Sequence, residues 1–334
     1  MYRPLRLLAA VVAAFFLASQ AASAASTTIL NVSYDPTREF YAEYNPLFAA
    51  YWKKKSGDDV TVQQSHGSSG AQSRAVISGL EADVVTLALS FDIDAIASRS
   101  QAIAPDWAAR LPDNSAPYTS SIAFLVRKGN PKHIRDWNDV ARPGVGVITP
   151  NPKTSGAARW NVLAAWSYGL KRNHNDEAKA RELLAAIYKN ALVLDSASRA
   201  STVTFTERGI GDVLVSWENE AILVVKEHPN DYELVVPSVS ILAEPSVAWV
   251  DANVAKHHTE DVSEAYLHYL YTPAAQKLAC KWGYRPRLTS VLGHCGTSFP
   301  ATSLTTIAQF GGWKSAAARF FADGGIFDQV YPSK

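Results

Sequence analysis

The sequence predicts an α/β fold, because runs of apolar residues of strand length alternate with segments of helical periodicity. With 334 residues the chain is long enough for two domains. The predicted strands are Ile29–Tyr34, Val60–Gln64, Val84–Leu87, Ser121–Val126, Val145–Thr149, Val213–Trp217, Leu234–Val236 and Val247–Val250.

Helices are predicted where apolar side chains recur every three or four residues. Phe40, Tyr44, Leu47 and Phe48 have this spacing, and Pro46 is expected to kink that helix or to begin a second one. Two further helical segments carry buried faces: Trp160, Leu163, Ala164, Ser167 and Tyr168 in one, and Ala180, Leu183, Leu184 and Ile187 in the other.

The first 24 residues have the composition of an export signal. Arg3 and Arg6 precede the apolar stretch 7–17, and Ala22-Ser23-Ala24 is typical of a cleavage site. The alternative is an uncleaved anchor, although the apolar stretch is too short for a permanent membrane span. We therefore expect residues 1–24 to be a signal peptide cleaved after about Ala24, and the mature protein to lie in an exported compartment.

The net charge and the cysteines further limit the class of protein and the compartment in which it acts. The formal net charge is +1, which argues against a surface that binds nucleic acid. The two cysteines, Cys280 and Cys295, could form a disulfide worth about 3 kcal/mol in an oxidising compartment. The alternative is two separate buried thiols.

Two extended segments could pass between lobes of the molecule, 119–128 and 238–251. If both cross, residues 25–120 and 245–334 form lobe I, and residues 121–244 form lobe II. A cleft would then lie between the lobes.

Four loops of small, donor-rich residues follow predicted strands and precede predicted helices. They are 33–37 (SYDPT), 66–70 (HGSSG), 153–157 (KTSGA) and 195–198 (DSAS). In an open α/β sheet such loops lie at the carboxyl ends of strands, where unpaired N–H groups and helix N-termini favour anions. Each loop contains or adjoins only one basic side chain, so amide and hydroxyl donors would hold the anion.

Several motifs recur in order along the chain: Asn31–Glu39, Gln64–Gly67, Glu81–Thr86, Phe124–Lys132, Asn151–Gly156, Glu207–Leu214 and Ile241–Pro245. Together they resemble the periplasmic sulfate-binding proteins and their thiosulfate-binding relatives. The resemblance implies a two-lobed periplasmic binding protein of type II. Such a protein, expected as a monomer without cofactor or metal, captures sulfate between its lobes and delivers it to the permease of an ABC transporter.

The resemblance also implies a set of ligands without any cationic side chain. The matching positions are Asp35 (through its main chain), Ser69, Ser155, Gly156, Ala157, Ser198 and Trp217. A tryptophan at position 217 resembles the sulfate-binding proteins, whereas the thiosulfate relatives often carry another residue there. Ser68, Ala157 and Ala197-Ser198 depart from the family pattern, which leaves the preference between sulfate and thiosulfate open.

Elementary chemistry agrees with a pocket made only of donors. A buried dianion needs a hydrogen bond at nearly every oxygen, and helix N-termini each contribute about half a positive charge. Phosphate keeps a proton at neutral pH and would leave that proton unpaired, so such a pocket is expected to reject it.

The same residues have other interpretations. Ser69 and Ser155 could be helix N-caps, Gly156 could serve turn geometry alone, and Trp217 could be a core anchor. The Asp35 carboxylate would repel a dianion, so we expect it to pair with Arg159 and tie the lobes together. Two solvated surface charges are the alternative.

An enzyme is the rival class of protein. The sequence has no G-x-S-x-G or H-E-x-x-H motif, and apart from the pair His257-His258 its eight histidines are scattered. We therefore predict a binding protein rather than an enzyme. Another tetrahedral oxyanion, such as thiosulfate or molybdate, remains an alternative ligand.

Overall fold

The computed structural model describes residues 26–331 as an α/β molecule built around two sheets. The predicted signal peptide, residues 1–24, lies outside the described residues. Among residues 26–331, no helix combines the length and the hydropathy needed to cross a membrane.

The strands are β1 (Ser26–Tyr34), β2 (Asp59–Gly67), β3 (Val84–Leu87), β4 (Tyr118–Thr119), β5 (Ile122–Arg127), β6 (Val147–Pro150), β7 (Ala191–Asp195), β8 (Val213–Trp217), β9 (Tyr232–Val235), β10 (Val239–Ile241), β11 (Ser246–Trp249), β12 (Arg285–Pro286) and β13 (Ser303–Thr305). Each of the eight predicted strands is present. The structure adds β7, β10 and the short strands β4, β12 and β13.

The helices are α1 (Arg38–Ser56), α2 (Ser69–Ile77), α3 (Ser90–Ser100), α4 (Pro112–Ser115), α5 (Trp137–Val140), α6 (Gly156–Arg172), α7 (Glu177–Lys189), α8 (Ser198–Thr206), α9 (Glu218–Glu227), α10 (Asp251–His257), α11 (Glu260–Tyr269), α12 (Pro273–Lys281), α13 (Gly312–Ala316) and α14 (Ile326–Val330). Short 3₁₀ turns lie at Asp35–Thr37, Trp107–Ala109, Thr289–Val291 and Ile307–Phe310, and a π-helical turn lies at Ala317–Phe321.

The first sheet has the strand order β11-β3-β1-β2. Strands β1, β2 and β3 are parallel, and β11 is antiparallel to β3. The central strands are buried, as strands are when helices cover both faces of a sheet.

The second sheet has the order β7-β6-β8-β5-β9. Strands β7, β6 and β8 are parallel, whereas β5 is antiparallel to both β8 and β9. The chain enters this sheet through residues 120–122 and returns through residues 241–246, and Ser120 and Ala243 form a bridge between these two segments. Two sheets flanked by helices and joined by crossing segments form the two-lobed fold of periplasmic binding proteins.

The C-terminal residues pack against the second sheet's helices. The rings of Trp313 and Trp160 lie 4.6 Å apart, and those of Phe320 and Trp166 lie 5.0 Å apart. The sequence analysis assigned residues 245–334 to lobe I. Residues 303–330 instead pack with the core of the second sheet, which belongs to lobe II. The aromatic side chains of this segment complete the apolar surface of α6 and α7, which would otherwise remain exposed. The rest of the predicted division stays a prediction.

Pro46 lies inside α1, which runs unbroken from Arg38 to Ser56. A second helix beginning at Pro46 is therefore wrong. A proline within a helix removes one backbone hydrogen bond, here the bond to the carbonyl of Ala42. Both residues are exposed, so water can satisfy that carbonyl. Phe40, Tyr44 and Phe48 on the opposite face are fully buried and anchor the helix.

Candidate functional site

Helices or turns begin within six residues of the ends of five strands, and the N–H groups of a first turn have no partners within the helix itself. They are the turn Asp35–Thr37 after β1, α2 after β2, α6 after β6, α8 after β7 and α9 after β8. Helix N-termini carry partial positive charge and donate hydrogen bonds outward, so together they form a set of donors suited to an anion.

The loops after β2 and β6 are in direct contact. The hydroxyl of Ser68 donates to the carbonyl oxygen of Thr154 at 2.6 Å. A Cβ atom added at Gly156 would lie 3.1 Å from the Cβ of Ser69 and 3.0 Å from that of Ala88. Glycine at position 156 therefore allows the N-termini of α2 and α6 to approach closely.

Ser155 holds the N-cap position of α6 without capping it through its side chain. It is 2 % exposed, and its hydroxyl makes no hydrogen bond to any residue in 26–331. Gly156 and Ala157, the first two helical residues, are also buried. One hydroxyl and two N–H groups thus lie side by side without protein partners.

Ser69 differs from Ser155, because its hydroxyl is already bonded. The hydroxyl donates to Asp92 Oδ2 at 2.5 Å and accepts from the N–H of Ala88 at 3.1 Å. As the first residue of α2, Ser69 still has an N–H group without a partner in the helix. Only its main chain is therefore available to an anion.

Asp92 also pairs with Arg159, whose Nη1 lies 3.5 Å from Oδ1 of the carboxylate. Burial raises the pKa of Asp92, and Arg159 opposes that rise. Burial likewise lowers the pKa of Arg159, against the pull of the same carboxylate. Arg159 thus holds the carboxylate of Asp92, which in turn holds the hydroxyl of Ser69.

The expected pairing of Asp35 with Arg159 is wrong. Asp35 is 4 % exposed, and its Oδ2 accepts the main-chain N–H of Arg199 at 2.8 Å. Arg159 is directed elsewhere, with Nε donating to the carbonyl of Pro152 at 3.1 Å. The turn after β1 therefore meets the start of α8, not the first turn of α6.

The guanidinium of Arg199 pairs with two carboxylates through its Nη2, whereas its Nε is buried without a hydrogen-bond partner among the described residues. Its Nη2 lies 2.8 Å from Glu39 and 2.8 Å from Glu220. Burial raises the pKa of Glu220 to about 7, although Arg199 and a hydrogen bond from Thr202 lower it. Burial similarly raises the pKa of Asp35. Arg199 therefore compensates buried acids and supplies no excess positive charge.

Trp217 ends β8 and holds the N-cap position of α9. Its side chain is fully buried, and the centroid of its ring lies 5.4 Å from that of Tyr34. Among the described residues, its indole Nε1 is buried with no hydrogen-bond partner. Buried N–H groups are normally paired, so this donor fits a ligand that the protein itself does not provide.

Ser198 is the first residue of α8 and is 2 % exposed. Its hydroxyl makes no hydrogen bond within residues 26–331, and Ala197 before it has no side chain that could cap the helix. The N–H of the following residue, Arg199, already donates to the carboxylate of Asp35. The N–H and hydroxyl of Ser198 therefore remain as donors.

The sequence analysis missed the carboxylates that organise these loops. In the sequence, Asp92 resembles any acidic residue in the first turn of a helix, and its distance along the chain from Ser69 does not indicate that the two side chains are bonded. Glu220 is separated by 21 residues from Arg199, so only the fold pairs them. The one available signal is that Glu218 and Glu220 begin a helix directly after a buried strand.

Cys280 and Cys295 form a disulfide, with their Cα atoms 5.7 Å apart. Cys280 lies in the last turn of α12, and Cys295 follows the turn Thr289–Val291. Within residues 26–331, no group of three or more histidine, cysteine, aspartate or glutamate residues is arranged to hold a metal ion.

Two α/β lobes whose helix N-termini meet around unpaired donors define a solute-binding protein. Comparison with known proteins agrees: residues 36–285 match the family described as bacterial extracellular solute-binding protein. The chain belongs to this family, and its relatives include proteins named for sulfate and thiosulfate.

Three relatives show how far the similarity extends. The chain is 58% identical to the sulfate-binding protein of Escherichia coli (strain K12), over 95% of this chain and 96% of the relative. It is 47% identical to the thiosulfate-binding protein of Pseudomonas aeruginosa, over 98% of each. The solved sulfate-binding protein SubI of Mycobacterium tuberculosis matches with a TM-score of 0.80 and 33% identity, covering 88% of this chain and 99% of SubI.

Proposed function

We propose that this protein binds sulfate in the periplasm and delivers it to the membrane permease of an ABC transporter. Residues 1–24 would direct export and be removed, and the mature protein would act as a monomer and not as an enzyme. The names of the relatives, including a sulfate-binding protein 58% identical over most of the chain, support sulfate as the ligand.

The unpaired indole N–H of Trp217 is the observation that carries the proposal. Leaving a buried donor unpaired costs about 1–3 kcal/mol, so its retention favours a partner that comes from outside the chain. The proposed ligands are this indole, the Ser155 hydroxyl and the main-chain N–H groups of Asp35, Ser69, Gly156, Ala157 and Ser198. The hydroxyl of Ser198 is an additional donor at the same place.

The charges around these groups support a fully deprotonated anion. Arg199 pairs with Glu39 and Glu220, and Arg159 pairs with Asp92, so carboxylates already balance the positive charge of both guanidinium groups. The helix N-termini would balance the dianion instead. Phosphate carries a proton that would face N–H groups, which cannot accept it, and phosphate is therefore excluded.

Thiosulfate is the second candidate ligand. The relative from Pseudomonas aeruginosa, 47% identical over nearly the whole chain, is named for it. Thiosulfate is a dianion of similar charge in which sulfur replaces one oxygen, and sulfur is a weaker acceptor. A site that aims a strong donor at every ligand atom should therefore prefer sulfate.

A titration of the mature chain from residue 25, followed by tryptophan fluorescence, tests the proposal. The ligands are sulfate, thiosulfate, molybdate and phosphate, each alone and then in competition with sulfate. We expect a saturable response to sulfate at micromolar concentration or below, weaker binding of thiosulfate, and none of phosphate. Phosphate binding as tight as sulfate binding, or no response to sulfate, would contradict the proposal.

A further inference from the structure

The residue after Trp217, Glu218, carries a completely buried carboxylate, which pairs with one cationic side chain among residues 26–331. Arg285 binds it through two parallel bonds, Nε to Oε2 at 2.6 Å and Nη2 to Oε1 at 2.7 Å. The side chain of Glu218 is 0 % exposed and that of Arg285 is 20 % exposed. Such a bidentate pair fixes orientation as well as charge.

The main chain of Glu218 is fixed too. Its N–H donates to the carbonyl oxygen of Ser121 at 2.8 Å, where β5 begins. The first residue of α9 is thus held by β5 on one side and by Arg285 on the other. Because Trp217 precedes Glu218 directly, these contacts hold the main chain next to the residue that carries the indole.

Arg285 itself belongs to a segment packed closely on the start of α9. It lies in β12, which pairs with β4, and its Nη2 also donates to the carbonyl of Pro300 at 3.2 Å. Gly283 has φ +81, and a Cβ atom there would lie 3.0 Å from the Cα of Asn219. The disulfide Cys280–Cys295 closes a loop that contains β12.

We propose that Arg285 is a positioning residue for the anion site, acting through Glu218 on Trp217. This inference rests on the proposed binding of sulfate by the Trp217 indole. Arg285 would do two things: hold the start of α9 so that the indole keeps its place, and neutralise a buried carboxylate next to the residue that binds a dianion. Without that neutralisation, Glu218 would repel the ligand in a medium of low dielectric constant.

The substitution Arg285→Gln tests this inference by calorimetric titration with sulfate. We expect the dissociation constant to rise about tenfold or more, the scale on which an unpaired buried charge weakens binding. Arg287→Gln is the matched control, because Arg287 lies two residues away, is equally exposed, and pairs with Glu244 at 2.8 Å. It should leave the affinity for sulfate within about twofold of the wild type, since Glu244 does not adjoin a proposed ligand.

The double variant Glu218→Gln/Arg285→Gln distinguishes an effect of the unpaired Glu218 charge on binding from a general disturbance of the fold. It removes the carboxylate together with its partner, so most of the affinity lost in Arg285→Gln should return. Arg285→Lys keeps the charge without the bidentate geometry, and we expect an intermediate affinity. If Arg285→Gln fails to fold, the other two variants are compared with the wild type: wild-type affinity in Arg285→Lys, together with an affinity about tenfold or more below the wild type in the double variant, would overturn the inference.

The indole N–H resonance of Trp217 gives a readout that does not require sulfate. In protein labelled with ¹⁵N-tryptophan, the signal is assigned by its loss in Trp217→Phe. We expect Arg285→Gln to shift it and Arg287→Gln to leave it unchanged. An unshifted signal with unchanged affinity would overturn the role of Arg285. A wild type that binds no sulfate would instead refute the proposed function, while a shifted signal would still support the positioning.

Discussion

The carboxylate of Asp35 accepts the main-chain N–H of Arg199 at 2.8 Å. This bond joins the turn after β1 in the first sheet to the start of α8 beside the second sheet. The guanidinium of Arg199 adds a second link between the same regions, because it binds Glu39 in the first turn of α1. Both bonds can form only while the loops of the two sheets are in contact.

Replacing Asp35 by alanine should therefore weaken the contact between the sheets. The main-chain N–H proposed as a ligand remains, but the bond to Arg199 is lost. We expect the dissociation constant for sulfate to rise about tenfold, since hydrogen bonds to charged groups contribute about 1.5–3 kcal/mol. Calorimetric titration measures the affinity, and small-angle X-ray scattering measures whether the ligand-free protein becomes more extended.

Asp35→Asn is the control for this prediction. The amide keeps an oxygen that can accept from Arg199 but lacks the charge, so its affinity should lie between those of the wild type and the alanine variant. Wild-type affinity and dimensions in Asp35→Ala would show that the bond does not stabilise the contact between the sheets.

The sequence was sufficient for eight of the thirteen strands in the described residues, but not for the residue pairs that join the two sheets. Apolar runs such as Val84–Leu87 are fully buried, and burial of this kind leaves a clear signal in composition. Strand β7 escaped prediction because it lies at the edge of its sheet with most residues only partly buried and Leu192 59% exposed.

Asp35 and its partner show why the site was harder to predict. Arg159 and Arg199 both lie in the first turns of helices that follow donor-rich loops, so the sequence does not distinguish them. The choice depends on which helix N-terminus the turn after β1 meets, and that is a property of how the two sheets are placed. Long-range pairs such as Ser69 with Asp92 are likewise set by packing.

Glu220 should make stability depend on pH. Its pKa is raised from the ordinary 4.5 to about 7, chiefly by burial. The folded state therefore holds a proton that the unfolded state releases, so this contribution is full below pH 4.5 and is lost as pH rises through 7. The rise corresponds to about 3 kcal/mol, since one pKa unit is worth about 1.4 kcal/mol.

The comparison of Glu220→Gln with the wild type isolates this effect. Other groups also titrate, including Asp35 and Asp92 with raised pKa values and His66 with a pKa lowered to about 4. They are common to both proteins and largely cancel in the difference. We expect the variant to gain up to about 3 kcal/mol relative to the wild type between pH 4.5 and 8, measured by urea unfolding. A difference that does not change with pH would contradict the raised pKa of Glu220.

Trp217→Phe removes the indole donor while keeping an aromatic ring against Tyr34. The proposed hydrogen bond to a dianion is lost, so the affinity for sulfate should fall about tenfold or more. Trp282→Phe is a matched control, because Trp282 also has a buried indole N–H without a partner among the described residues but lies at the end of α12. Equal losses in calorimetric titrations of the two variants would argue against a specific role for Trp217.

Ser155→Ala should mainly weaken sulfate binding, whereas Ser69→Ala should mainly lower the free energy of unfolding. The hydroxyl of Ser155 has no partner in residues 26–331, so its removal should cost affinity for sulfate, about tenfold or more, with little change in the free energy of unfolding. The hydroxyl of Ser69 donates to the buried carboxylate of Asp92. Its removal should lower the free energy of unfolding by about 1.5–3 kcal/mol and weaken sulfate binding less, because the Ser69 N–H remains.

Urea unfolding without sulfate and calorimetric titration with sulfate separate the two effects in each variant. Ser73→Ala is a further control, since the Ser73 hydroxyl donates to the main-chain carbonyl of Asp92 at 2.7 Å and not to its carboxylate. It should cost stability but leave sulfate binding at the wild-type level. If Ser69→Ala loses more affinity than Ser155→Ala while keeping its stability, the Ser69 hydroxyl must turn from Asp92 to the anion, and the assignment of the hydroxyl donor to Ser155 would be wrong.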